Sequence, residues 1–181
     1  MESLLGPYRV LDLSNETGFL CGKLFADFGA DVIKVEPPGG DPARRLGPFY
    51  HDIPDPEKSL NWFAYNTNKR GITLNLESQD GKGVFQRLAQ RADFVIETFP
   101  PGYLERLGLG YSALSQLNPR LIMTSITPFG QSGPYRDYKS SDLIAWATGG
   151  LLYICGNPEL PPARCNADVA YCQAGVQAAV A

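Results

Sequence analysis

The chain has 181 residues, a net charge of −3 and apolar side chains at 44% of its positions. That is an ordinary globular composition with enough chain for a sizeable core. Mild acidity offers no footing for a nucleic-acid or anionic-membrane partner, and no apolar run approaches the ~20 residues that span a bilayer. The N-terminus lacks a basic stretch followed by an apolar one, so no secretory signal and a cytoplasmic location are expected. Cys21, Cys155, Cys165 and Cys172 show no CxxC spacing and are read as reduced thiols. The only histidine, His51, lies in a polar loop, so no metal site is expected.

In chain order, Val10–Leu13 is a short apolar run, Ser14–Gly18 is turn chemistry, and Phe19, Leu20, Cys21, Leu24 and Phe25 recur at helical spacing up to Phe28-Gly29. Val32–Val35 is a second apolar run, stopped by Pro37-Pro38. Two such runs joined by a helix make a βαβ unit with parallel strands. Ligands bind such units at the carboxyl ends of the strands, here Ser14–Gly18 and Glu36–Gly40. A Pro- and Gly-rich loop from Glu36 to about Glu57 follows, long enough to mark function or an interface. Leu60–Tyr65 reads as a short helix, Asn66–Gly71 as a polar turn, and Ile72–Leu76 alternates strictly, as a strand does. Ser78 suits an N-cap for a helix reaching Ala92. Phe94–Glu97 is the next strand. Leu104–Leu107 and Tyr111–Leu117 are short helices, and Leu121–Ile126 is a further strand. After a loop at Gln131–Lys139, a helix covers Leu143–Ala147, Leu151–Cys155 fits strand or helix, and a last helix starts near Val169. Strands alternating with helices predict an α/β fold: a parallel sheet with helices on both faces. The chain stops inside an Ala-rich helical pattern, as expected of a piece of a longer protein.

Neither GxGxxG nor GxxxxGK[ST] is present, which argues against an ordinary dinucleotide or P-loop enzyme. Lys34, Arg44, Arg45, Lys69, Arg70, Arg106, Arg136 and Lys139 fall near strand ends. They suit a phosphorylated ligand, or are solvated surface charges. Asp12 sits inside an apolar strand, where a carboxylate must accept hydrogen bonds or shift its pKa. A structural role is the expectation there. Asp168 precedes the last helix, either as its N-cap or as a carboxylate nucleophile kept ionised by the helix N-terminus.

The segments VLDLS, LFADFGADVIKVEPPGGDPAR, NTNKRGITLNL, RADFVIETFPPGYLERLGLGY and LNPRLIMTSITPFGQSGPYRD occur in this order. Together, from Val10 to Asp142 and more loosely to the end, they resemble the N-terminal part of class III CoA-transferases, the CaiB/BaiF group that includes formyl-CoA transferase. The resemblance implies a Rossmann-like large domain, of which residues 1–181 form the N-terminal part, without the small domain or the C-terminal return. It implies an interlocked homodimer, no tightly bound cofactor, and coenzyme A moved as its thioester from an acyl-CoA to a carboxylic acid. CoA contacts are then expected at Glu16, Thr17, Leu74, Asn75, Leu76, Glu77, Thr98, Phe99, Pro100, Arg106, Arg136 and Lys139. Two positions depart from the family pattern: Glu16 where Gln is usual, and Pro37 where formyl-CoA transferase has an Arg. The family's aspartate nucleophile lies in D-x-x-[AT]-G. Ala174-Gly175 matches the end of that pattern, Tyr171 takes the nucleophile position, and Asp168 lies one helical turn earlier. Either a small register change presents Asp168 as the nucleophile, which is the expectation, or the chain lacks the family's usual one. An α-methylacyl-CoA racemase is the alternative on the same scaffold, but Ser141 stands where its histidine belongs. A non-catalytic CoA-binding or dimer-partner subunit is the other alternative, and Tyr171 speaks for it.

Overall fold

In the computed structural model, residues 3–165 and 167–181 are described; Met1, Glu2 and Asn166 lie outside them. Five parallel strands form one sheet in the order β3-β2-β1-β4-β5, with β1 Arg9–Leu13, β2 Asp31–Glu36, β3 Arg70–Thr73, β4 Phe94–Glu97 and β5 Ile122–Ser125. The helices are α1 Phe19–Asp27, α2 Leu60–Asn66, α3 Gln79–Ala89, α4 Tyr103–Leu107, α5 Tyr111–Leu117, α6 Asp142–Thr148, α7 Leu151–Ile154 and α8 Val169–Val180. The strand order reverses direction at β1 and β4, which is where an open α/β sheet leaves a crevice.

The two faces follow from the period of two along each strand. Leu11, Leu13, Ile33, Val35 and Val95 point one way and meet Phe85, Leu104, Leu109 and Leu114 from α3, α4, α5 and their connections. Val10, Val32 and Ile96 point the other way, towards Cys21 and Ala26 of α1 and the end of α8. Asp12 and Lys34 belong to this second face and are register partners across β1 and β2.

The third strand corrects the sequence reading. It runs Arg70–Thr73, so Arg70 and Gly71 lie in the sheet and not in the preceding turn. The alternating Leu74–Leu76 lies beyond β3: the Leu74 N–H still bonds to the Glu36 carbonyl at 2.8 Å, and the chain then turns at Leu76-Glu77. Leu76 is buried, Ile72 and Leu74 pack half-buried against the same core, and Thr73, Asn75 and Glu77 face outward, so the alternation itself is real. Ser78 caps α3 as expected, its hydroxyl accepting the Gly81 N–H at 3.1 Å. The ambiguous Leu151–Cys155 is a single helical turn over Leu151–Ile154.

Gly81 lets the Leu74–Ser78 segment lie directly on the start of α3. A Cβ at this position would stand 1.8 Å from the Asn75 carbonyl oxygen, and backbone does not yield as a side-chain tip does. Gly81→Ala is expected to lower stability by about 1–3 kcal/mol. A urea midpoint equal to wild type would show that this contact is not constraining.

Candidate functional site

A cleft of about 520 Å³ opens at the carboxyl ends of β1, β2 and β4. That volume falls in the range of small-molecule sites. Its walls come from four stretches: Leu13–Asn15 at the end of β1, Lys34–Pro38 with Asp41 and Pro42 at the end of β2, Leu74–Glu77 after β3, and Thr98–Pro100 with Tyr103 after β4. Thr98 fastens β4's end to β1's loop, its hydroxyl accepting the Asn15 N–H at 2.8 Å. Phe99 and Tyr103 stack with ring centroids 4.7 Å apart, and the Tyr103 hydroxyl donates to Glu77 at 3.1 Å. The two rings form an aromatic lip, with Tyr103 tied to Glu77 through its hydroxyl.

Beneath the cleft lies a buried charge network. Asp12, with none of its surface exposed, accepts the Lys69 ammonium at 2.8 Å, the Ser14 N–H at 2.9 Å and the Ser14 hydroxyl at 2.5 Å. Burial on its own raises the Asp12 pKa, but the charges of Lys34 and Lys69 and these hydrogen bonds outweigh it and hold the carboxyl below its ordinary value. Lys69 also donates to the Phe19 carbonyl and to Asn66. Lys34 donates to the Ser14 carbonyl and stands 3.5 Å from Asp41. Both ammonium groups lie over the Phe19 ring, at 5.1 and 5.5 Å from its centroid, where the ring quadrupole attracts cations. The expectation of a structural Asp12 is met by these bonds.

A second, smaller cavity lies on the other side of Phe19. Glu16, Leu20, Ala43, Asn61, Trp62, Tyr65, Asp168, Tyr171 and Cys172 complete its lining. Asp168 occupies the N-cap position of α8, yet its carboxylate makes no capping hydrogen bond. Half of that side chain is exposed, and its ion-pair contact is Arg164 at 3.7 Å. A carboxylate so loosely held is chemically available. Tyr171 is not: burial first, then the nearby Glu16 charge, pushes its phenol above the ordinary range, so it carries its proton at neutral pH. Tyr65, hydrogen-bonded to Cys172 at 3.4 Å, is likewise pushed up to about 12.

Of the residues expected from the sequence, Leu74, Asn75, Leu76, Glu77, Thr98, Phe99 and Pro100 meet in the cleft, while Glu16 and Asp168 meet in the smaller cavity. Thr17 bonds to Asn15 through its N–H and hydroxyl. Arg106 packs over the Tyr103 ring at 5.7 Å, behind the lip. Arg136 and Lys139 are exposed in the 131–139 loop, Arg136 3.2 Å from its neighbour Asp137. Three of the cations left open between a ligand and the solvent pair with the protein's own carboxylates: Lys69 with Asp12, Arg44 with Glu36 and Arg70 with Asp31. Ser14, Asn15, Lys34, Asp41, Pro42 and Tyr103 also line the cleft. The strand-end rule located their loops but not the individual side chains.

The family model for CoA-transferase family III matches residues 5–181. This chain belongs to CoA-transferase family III. It is 44% identical over 173 residues to the succinyl-CoA:(R)-benzylsuccinate CoA-transferase subunit BbsE of Thauera aromatica, covering 96% of this chain and 42% of that protein. It is also 44% identical to a succinyl-CoA--D-citramalate CoA-transferase of Chloroflexus aurantiacus, over 91% of this chain and 40% of that one. A CaiB/BaiF family structure from Brucella suis superposes with a TM-score of 0.92 at 33% identity, covering 99% of this chain and 48% of its own. The chain thus spans about two fifths of the length of the curated relatives it matches. Among the described residues, no helix is long and apolar enough to cross a membrane, and no group of three or more His, Cys, Asp or Glu is placed to hold a metal ion.

Proposed function

We propose that this chain is the N-terminal, CoA-binding part of an enzyme that moves coenzyme A from an acyl-CoA thioester to a carboxylic acid. The observation that carries this reading is the pairing of a strand-end cleft with an aromatic lip and an adjoining cavity that holds a loosely tied carboxylate, Asp168. The Phe99–Tyr103 stack offers a flat face for the nucleotide base, and Leu74, Leu76 and Pro100 offer apolar surface to the pantetheine arm.

In this reading an Asp168 oxygen attacks the thioester carbonyl, the C–S bond breaks, and CoA leaves as thiolate with an acyl-aspartyl anhydride formed. The thiolate then attacks the aspartyl carbonyl, giving an aspartyl-CoA thioester and freeing the donor acid as its carboxylate. The acceptor carboxylate repeats the two steps in reverse, which regenerates Asp168. No net proton is consumed, so no general acid or base is called for. The proposal extends to a homodimer that completes the site and to a cytoplasmic enzyme with no resident cofactor.

Titration calorimetry with CoA tests the binding half. Phe99→Ala is expected to weaken CoA by about 5- to 150-fold, the worth of one base–aromatic stack. Binding unchanged in that variant would remove the cleft as the nucleotide site. A second reading, a CoA-binding partner subunit without a nucleophile of its own, is favoured by the protonated Tyr171 at the position where the family's aspartate stands. Incubation with acyl-CoA followed by hydroxylamine separates the two: a hydroxamate on Asp168 supports the enzyme, and none supports the partner subunit.

A further inference from the structure

We infer that Arg44 is a positioning residue: it fixes the turn Pro42–Arg45 as the partition between the cleft and the smaller cavity, and so sets how a CoA thioester lies across it. The inference rests on the CoA reading of the cleft. The turn is shared between the two spaces, with Asp41 and Pro42 lining the cleft while Ala43 lines the cavity. One guanidinium ties a wall of each. Its Nε and Nη2 reach the two oxygens of Glu36, a cleft residue, at 2.6 and 2.8 Å. Its Cζ lies 4.1 Å from the ring centroid of Trp62, a cavity residue that meets Phe19 edge-on at 5.5 Å. Glu36 in turn accepts the Asp41 N–H at 2.9 Å, and Asp41 accepts the Ala43 N–H at 2.9 Å. The Ser59 hydroxyl donates to the Leu46 carbonyl at 2.6 Å and closes the far end of the segment.

The loop after β2 is therefore not a passive wall. Its geometry is set by a bidentate fork on Glu36 joined to a cation–π contact with Trp62, a combination lysine cannot make because its ammonium lacks the fork. Ala43, 3% exposed against Phe19 and Trp62, is the side chain that presents the partition to the cavity. Ala43 is absent from the cleft's lining but shares the smaller cavity with Asp168, so on this reading a thioester carbonyl brought to Asp168 lies against Ala43 and the nucleotide end does not.

Two ligands separate these cases. Adenosine 3′,5′-bisphosphate carries only the nucleotide end of CoA; acetyl-CoA and butyryl-CoA carry the thioester. In Arg44→Lys and Arg44→Met the bisphosphate Kd is expected to stay within about twofold of wild type, while both acyl-CoA values rise about tenfold. Ala43→Val leaves Arg44 in place and is expected to weaken butyryl-CoA more than acetyl-CoA, with the bisphosphate unchanged. Equal weakening of all three ligands, or a loss of melting temperature with no change in Kd, would make Arg44 a loop brace only and overturn the inference. Wild-type protein that binds none of the three overturns both this inference and the CoA reading. Wild-type binding with unaltered variants overturns this inference alone.

Discussion

Lys69→Met is expected to destabilise the protein by about 3–5 kcal/mol, the usual cost of stranding one partner of a buried ion pair. The pair has no solvent to fall back on: Lys69 and Asp12 expose 1% and 0% of their side chains. The space it fills is also tight. A Cβ on Gly22 of α1 would stand 2.2 Å from the Asp12 carboxylate and 3.2 Å from the Lys69 ammonium, so α1 approaches the pair as closely as a glycine permits. The pH dependence carries the sign of the mechanism. In the wild type the folded Asp12 carboxyl is held below its ordinary value. It therefore contributes stability above pH ~4, lost as the pH falls through the lowered value. Without Lys69, burial gains on the remaining lysine, and protonating Asp12 becomes a relief. The stability gap between wild type and Lys69→Met should accordingly narrow as the pH falls from neutral towards ~4. Urea midpoints at the two pH values measure it. A gap under ~1 kcal/mol at neutral pH, as for an exposed pair, would mean that Asp12 finds other partners.

Asp168→Asn is expected to cut CoA transfer by about 10⁴-fold or more, the scale of losing a covalent nucleophile. The amide keeps size and shape but cannot form the anhydride. Because the Asp168 side chain is half exposed and caps nothing, the substitution should leave the melting temperature and the CoA Kd close to wild type. A fall in kcat without a change in CoA binding is the signature of chemistry. Full activity in Asp168→Asn would return the role to another group, and Tyr171 is a poor candidate while burial keeps its phenol protonated. Tyr171→Phe provides the control: it removes the hydroxyl and should leave transfer within a few fold of wild type.

Much of the scaffold could be read from the residues. The β1–α1–β2 unit follows from two apolar runs around a helical repeat, Phe94–Glu97 was delimited by its flanking turns, and Ser78 marked the start of α3 as a hydroxyl does at a helix entrance. At Leu74–Leu76 the alternation outlasts the strand, because the apolar side chains keep facing the core after the pairing of β3 with β2 has ended at Thr73. The cations were harder. A charge beside a strand end looks the same in sequence whether it faces a ligand or a carboxylate 57 residues away, as with Lys69 and Asp12. Long-range ion pairs leave no periodic signal.

Legible in the residues alone are the parallel α/β fold, the strand-end loops that wall the cleft, and the segments whose joint order marks CoA-transferase family III. These depend on local period, turn chemistry and strand-end loops, all written within a few residues of one another. The packed structure sets the charge pairing: Lys69 goes to Asp12, Arg44 to Glu36, and Lys34, although it lines the cleft, to Asp41. It also sets Asp168 and Tyr171 on one cavity with opposite availabilities. The physical reason is that charge pairing and desolvation depend on distances through space. Those distances exist only once the helices and the loop after β2 have packed onto the sheet.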